Sequence, residues 1–196
     1  MRHSLAILAA IIAAPAIASE ELAQQIDIVA PLVNSGHFEA LGGPDTPKSL
    51  AQGVDGRWFT LNNTVRNWEG SGAPDRKRLA RSIDRTCADD WENIVVYETT
   101  GLDSFRVSQT SPSGEDNGTF DMQPVAATDR TFTAHVEDDY ILRIFGLEDA
   151  DALQKEAVLS DMRDRLSEGQ QIWRPSPDLM VNVSSAETEV WGRCPE

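Results

Sequence analysis

From Ile94 onward the apolar residues of this chain recur at every second position, a period that suits extended strands with one buried face. Ile94 to Thr99, Phe105 to Thr110, Thr119 to Val125, Thr131 to Glu137 and Tyr140 to Phe145 read as strands. Polar turns separate them, among them Gly114-Glu115-Asp116-Asn117-Gly118 and Glu137-Asp138-Asp139, and the second is short enough to predict a hairpin. In the run through His135, Phe132, Ala134 and Val136 share one side while Thr131, Thr133 and Glu137 share the other, which implies an antiparallel sheet with one wet face. Tyr140 to Phe145 is apolar on both sides and takes a central place. Gly56 to Leu61, bounded by Asn62-Asn63, supplies a strand ahead of this set. Gln171 to Arg174, Leu179 to Ser184 and Thr188 to Cys194 supply three after it, with Pro175-Ser176-Pro177 as a break between the first two.

Helical spacing surrounds the strands. Leu22, Ile26, Val29, Leu32 and Val33 predict a helix over Glu20 to Val33, with Ser19 as N-cap, Asn34-Ser35-Gly36 as stop and Pro31 as a kink or early end. His37 to Gly56 is a long connection with one helical turn near Ser49 to Gln52. Pro74-Asp75 introduces a short basic helix, Arg76 to Arg85, with Leu79, Ala80 and Ile83 on one side. Leu147, Ala150, Leu153, Ala157, Met162 and Leu166 mark an amphipathic helix over Asp149 to Leu166, ended by Gly169. The fold class is therefore α+β and mostly β, a curled antiparallel sheet or small β-barrel of about seven to nine strands with helices against an end or face.

Arg2 and His3 precede an apolar run from Leu5 to Ile12, and Ala14-Pro15-Ala16-Ile17-Ala18 closes it with small residues. That is the form of a signal peptide, cut after Ala18 and too short to span a bilayer. The chain accordingly divides into a leader (1–18), an N-terminal helix with its connecting loop (19–55) and a single β-rich domain (56–196). It is expected to be periplasmic or secreted, with no membrane insertion after cleavage. Its 32 acidic residues against 17 basic ones give a net charge of −15, which repels nucleic acid and anionic lipid. An oxidising compartment makes a disulfide of the two cysteines, Cys87 and Cys194. They lie too far apart in sequence for a redox pair of the Cys-x-x-Cys kind.

The common catalytic patterns are missing. There is no Gly-x-Ser-x-Gly elbow, phosphate loop or dinucleotide fingerprint. His37 and His135 have no second ligand at metal spacing, so no metal and no cofactor are expected. The acidic stretch Gly114 to Asp121 departs from the twelve-residue calcium loop at Ser113 and Pro124 and reads as a hairpin turn. Asp89, Asp90 and Glu92 could pair for acid–base work, but no partner is placed across a cleft. The Asn-x-Ser/Thr triplets at Asn62, Asn117 and Asn182 matter only in a cell that glycosylates its exports.

Tryptophans carry the remaining signal. Trp58, Trp68, Trp91, Trp173 and Trp191 lie on or beside predicted strands, and four of them, Trp58, Trp91, Trp173 and Trp191, are candidates to close a barrel end or line a ligand cavity. Gly56-Arg57-Trp58, after an N-terminal helix, resembles the Gly-x-Trp opening of lipocalins and related barrels. Trp191-Gly192-Arg193-Cys194 resembles that family's late arginine, which the resemblance implies should pack on the tryptophan. The helix over Asp149 to Leu166 interrupts the strands earlier than the family pattern does. Two functional expectations follow: a non-catalytic envelope protein that binds or attaches within a periplasmic complex, its partner a protein, or a lipocalin-like carrier of a small apolar ligand. A periplasmic hydrolase ranks third.

Overall fold

The computed structural model describes residues 14–68, 75–89, 94–110 and 116–195, and within them the strands close on themselves. β1 (Gly56–Thr60), β2 (Ile94–Thr99), β3 (Phe105–Thr110), β4 (Asp116–Pro124), β5 (Thr131–Val136), β6 (Gln170–Ser176), β7 (Leu179–Val183) and β8 (Thr188–Arg193) form an antiparallel barrel in sequence order. β1 completes the circle against β8, with Trp58 opposite Arg193 and Thr60 opposite Trp191. The seam between β5 and β6 is short, Thr131 opposite Gln171 and Phe132 opposite Gln170.

Alternation divides the strands between two cores. Trp58, Tyr97, Phe105, Met122, Phe132, Ile172 and Met180 point into the barrel, whereas Phe59, Trp173, Leu179, Val181 and Val190 point outward into a second cluster. That second cluster is covered by helices. α1 (Ala14–Asn34) lays Leu22, Ala23, Ile26 and Ala30 on it, joined by Val65 of α3 (Asn62–Arg66) and by Leu79 and Ile83 of α4 (Arg76–Asp89). Two polar contacts hold α1 to α4: Ser19 Oγ donates to Asp84 Oδ1 at 2.5 Å, and Arg76 pairs with Asp27. The disulfide between Cys87 and Cys194, with Cα atoms 5.5 Å apart, then ties α4 to the barrel wall. Cys194 is already held there, its amide donating to the Arg57 carbonyl at 2.8 Å.

The opposite ends of the barrel differ. At the end where β1 begins, α2 (Pro47–Ala51) forms a plug, capped by Thr46 with Pro47 in the first turn, and buries Leu50 and Ala51 on the interior cluster, joined by Val54 just after it. Below the middle the barrel is solid: Trp58, Tyr97, Phe105 and Phe132 form a chain of tilted ring contacts with successive centroids 5.6, 5.5 and 5.3 Å apart. A short 3-10 turn, Phe38–Leu41, lies between α1 and the plug.

Several expectations need correction. Tyr140 to Phe145 is helical: α5 (Asp138–Ile144) starts after extended Glu137, with Asp138 and Asp139 in its first turn, so no hairpin joins this segment to β5. Acids at a helix start are favoured by the unpaired amides there, and the run's burial is one-sided, Ile141 and Leu142 inside and Ile144 and Phe145 outside. Pro31 does not end α1, which runs on to Asn34, and Ser19 lies inside the helix, buried, instead of capping it. β6 passes through Pro175 by a bulge between Trp173 and Ser176 instead of breaking there. The basic helix continues past Arg85 to Asp89. α6 (Ala152–Ser167) is capped by Asp151, but Leu153 from its expected apolar stripe is 84% exposed. Only a small cluster of Leu159 with Val158 and Met162 packs it against α5 and β5.

Candidate functional site at the open barrel end

Arg174 and Arg193 explain why one end is shut. Arg174, buried on β6, donates to the Leu50 carbonyl in the last turn of α2 (3.1 Å) and to the Gln52 (2.5 Å) and Gly53 (2.6 Å) carbonyls just after it. Burial, and then the neighbouring Arg193 charge, push the Arg174 guanidinium below its ordinary value. Trp58 Nε1 donates to the Val54 carbonyl at 2.8 Å, and Arg193 donates to Gly53. The Arg193 guanidinium also lies 5.0 Å from the centre of the Trp58 ring, the packing that the Gly-x-Trp resemblance implies. Asp55 closes the same end by accepting from Thr99, whose amide and hydroxyl lie 2.7 and 3.0 Å from its carboxylate. Those bonds, the amide's first, hold the Asp55 carboxyl below its usual range.

At the other end, where β3, β5 and β7 finish, the barrel is hollow. A cavity of about 240 Å³ opens above the aromatic layer, floored by Tyr97, Phe105 and Met122 and walled by Val95, Val107 and Phe120. Its rim carries Trp191 and, from α5, Tyr140, which leans over Gly118 so closely that a Cβ there would stand 2.6 Å from the tyrosine hydroxyl. Asn182 and Glu189, opposite one another in the β7–β8 register, place polar groups inside it. The Asn182 side chain is only 5% exposed. Its Oδ1 has no hydrogen-bond partner among the described residues. Trp191 Nε1 lies 3.4 Å from Glu189 Oε2. Burial, reinforced by the charge of Glu187, pushes the Glu189 carboxyl above its ordinary value, and bonds from Trp191 and Asn182 offset part of this. Burial likewise drives Tyr97 far up, against a bond from Asn182.

The candidate aromatics therefore separate. Trp191 borders the cavity, Trp58 seals the far end, and Trp173 lies on the outer face, its ring 3.6 Å from the Arg130 guanidinium. Trp68 is buried with α1 and α3 outside the barrel, and Trp91 lies outside the described residues. His37 and His135 are both exposed, His37 Nδ1 bonding Ser35 Oγ at 2.7 Å. No group of three or more metal-ligating side chains occurs among the described residues. From the acidic stretch, Asp121 pairs bidentately with Arg106 across β3 and β4, while Glu115 lies outside the described residues. Asp90 and Glu92 also lie outside them. Of the Asn-x-Ser/Thr asparagines, Asn182 is interior and Asn62 is half-buried, its Oδ1 taking the Val190 amide at 2.7 Å.

The interior polar pair escaped sequence reasoning, although a signal existed. Asn182 interrupts the apolar run Leu179-Met180-Val181-Asn182-Val183, and Glu189 shares its strand face with Trp191. A polar residue in the buried phase of a strand needs a partner or a purpose. No helix among the described residues is long and apolar enough to cross a membrane. No protein-family model matches this chain, no curated protein matches it in sequence, and no solved structure matches it.

Proposed function

We propose that this chain is an exported small-molecule-binding protein that holds its ligand in the open end of the barrel. One observation carries the reading: the barrel is solid at its plugged end and hollow at the other, with an apolar floor and a few convergent polar groups, the usual make-up of a ligand site. A volume near 240 Å³ lies below the range of about 300–1,000 Å³ typical of drug-sized sites. The ligand is therefore small. The cavity supports a carrier, and attachment within an envelope complex is the second reading. The leader-like residues 1–18 and the Cys87–Cys194 bridge support work in the periplasm or outside the cell, with a cut after Ala18.

Calorimetric titration with a neutral aromatic such as 1-naphthol, together with native mass spectrometry of protein purified from its own compartment, tests the reading. One-site binding that is lost in Val107→Trp, a variant that fills the cavity, is expected. Absence of both binding and any co-purifying small molecule would sink it.

A further inference from the structure

We propose that the ligand is a small amphiphile with a primary ammonium head, seated between Asn182 and Glu189 with its apolar body on the Phe105–Met122 floor. This rests on the cavity being a ligand site and specifies its chemistry. Asn182 Oδ1 is a buried acceptor with no donor among the described residues, and burying such a group unpaired costs about 1–3 kcal/mol. Directly across the β7–β8 ladder is the Glu189 carboxylate, a second acceptor, met among the described residues by the Trp191 indole at a long 3.4 Å and by an Asn182 bond. Side chains opposite one another on a ladder have Cβ atoms roughly 4.5–5.5 Å apart, so one ligand group reaches both.

That group must donate more than once, and the sign of the site makes it positive. Glu189 is the one carboxylate on the cavity's described lining, which carries no lysine, arginine or histidine. A carboxylate in a half-dry cavity without a cation is under-solvated, and an ammonium supplies both the charge and three donors. Trp191 and Tyr140 add aromatic rings at the rim, and a ring face attracts a cation. The chain's net charge of −15 draws cations and repels anions at longer range. An anionic head, a fatty carboxylate for example, would meet Glu189 as a like charge and leave Asn182 Oδ1 unanswered.

The test compares three probes that share a phenylethyl body on the full chain by calorimetry: 2-phenylethylammonium, 2-phenylethanol and 3-phenylpropanoate. The ammonium probe is expected to bind about tenfold tighter than the alcohol, with no measurable binding of the carboxylate. Glu189→Gln should reduce that preference to about threefold or less, the loss falling mainly on the ammonium probe, while an unchanged far-ultraviolet circular dichroism spectrum reports that the variant is folded. Asn182→Leu should weaken the ammonium probe more than the alcohol. Equal binding of ammonium and alcohol, tighter binding of the carboxylate, or a preference that survives Glu189→Gln would overturn the ammonium assignment and leave the cavity as a ligand site. Failure of all three probes to bind the unaltered chain refutes the assignment whether or not 1-naphthol binds; failure of 1-naphthol as well, with no co-purifying small molecule, refutes both.

Discussion

At the scale of single residues, the two ends of the barrel place opposite charges in dry surroundings, and the partners decide the outcome. Arg174 meets the Leu50 carbonyl of α2 and the Gln52 and Gly53 carbonyls just after it, so its charge is answered by backbone oxygens, of which the Leu50 oxygen is the buried one. Arg174→Met relieves the cost of burying a cation but strands the Leu50 carbonyl; Gln52 and Gly53 are exposed and can turn to water. The net is a loss of about 2 kcal/mol, less than three charge-assisted bonds would suggest. Chemical denaturation should show it as a lower midpoint with an unchanged slope. Glu189 is the reverse case, because burial raises its folded value above the ordinary 4.5, so the folded state holds the proton more tightly than the unfolded one. Stability from this site is therefore complete below pH 4.5 and falls as pH rises through the raised value. Glu189→Gln should melt with the unaltered chain near pH 4 and a few degrees above it near pH 8. A gap that is constant with pH, or that closes as pH rises, would contradict this origin. Neither role was legible from composition, since each depends on which phase of a strand faces inward.

At the scale of elements, legibility followed length and sidedness. β2 and β3 have the bounds their alternation predicted, and β5 differs only at its last residue. α5 failed because six apolar-rich residues from Tyr140 to Phe145 satisfy either period, and burial of Ile141 and Leu142 alone is what a short helix needs. The β6 run was cut short at Pro175 because a proline speaks against a central strand, yet a bulge accommodates it. The plug was read only as a single turn, since its anchors, Arg174 and Arg193, are over a hundred residues distant in sequence. One more anchor is backbone against backbone. Gly43 has φ +86°, and a Cβ there would stand 2.2 Å from the Arg174 carbonyl oxygen, while Gly42 has φ +66° with nothing within 4 Å. Both alanine substitutions pay for a left-handed backbone, about 1–2 kcal/mol. Only Gly43→Ala must also displace β6, so it should cost about 3 kcal/mol in all. Equal losses in thermal melts of the two variants would show that the contact with β6 carries no strain.

At the scale of the whole molecule, a barrel closed by its own hydrogen bonds is combined with a helical coat held from outside. α1 and α4 cover the outer faces of β1 and of β6 to β8 through apolar burial, and they are fastened to each other by Ser19 with Asp84 and Arg76 with Asp27. The Arg76 pair is exposed on the arginine side and is worth little by itself. Cys87–Cys194 is the covalent link between coat and wall, and the pairing was legible because the chain has two cysteines. It spans 107 residues, so opening it restores much freedom to the unfolded chain, about 4–5 kcal/mol in the loop-entropy description. Replacing both cysteines by serine should lower the melting temperature by roughly 10 °C, at about 2–4 °C per kcal/mol for a chain this size. The barrel ladder does not pass through the bridge: Cys194 keeps its amide bond to Arg57 without its sulfur. The variant should therefore keep its β-sheet circular dichroism and its 1-naphthol binding at 25 °C, since the cavity lies at the other end of β8 from Cys194. Loss of ligand binding together with an unchanged melting temperature would reverse that assignment of roles, making the bridge a support of the cavity instead of a constraint on the unfolded chain.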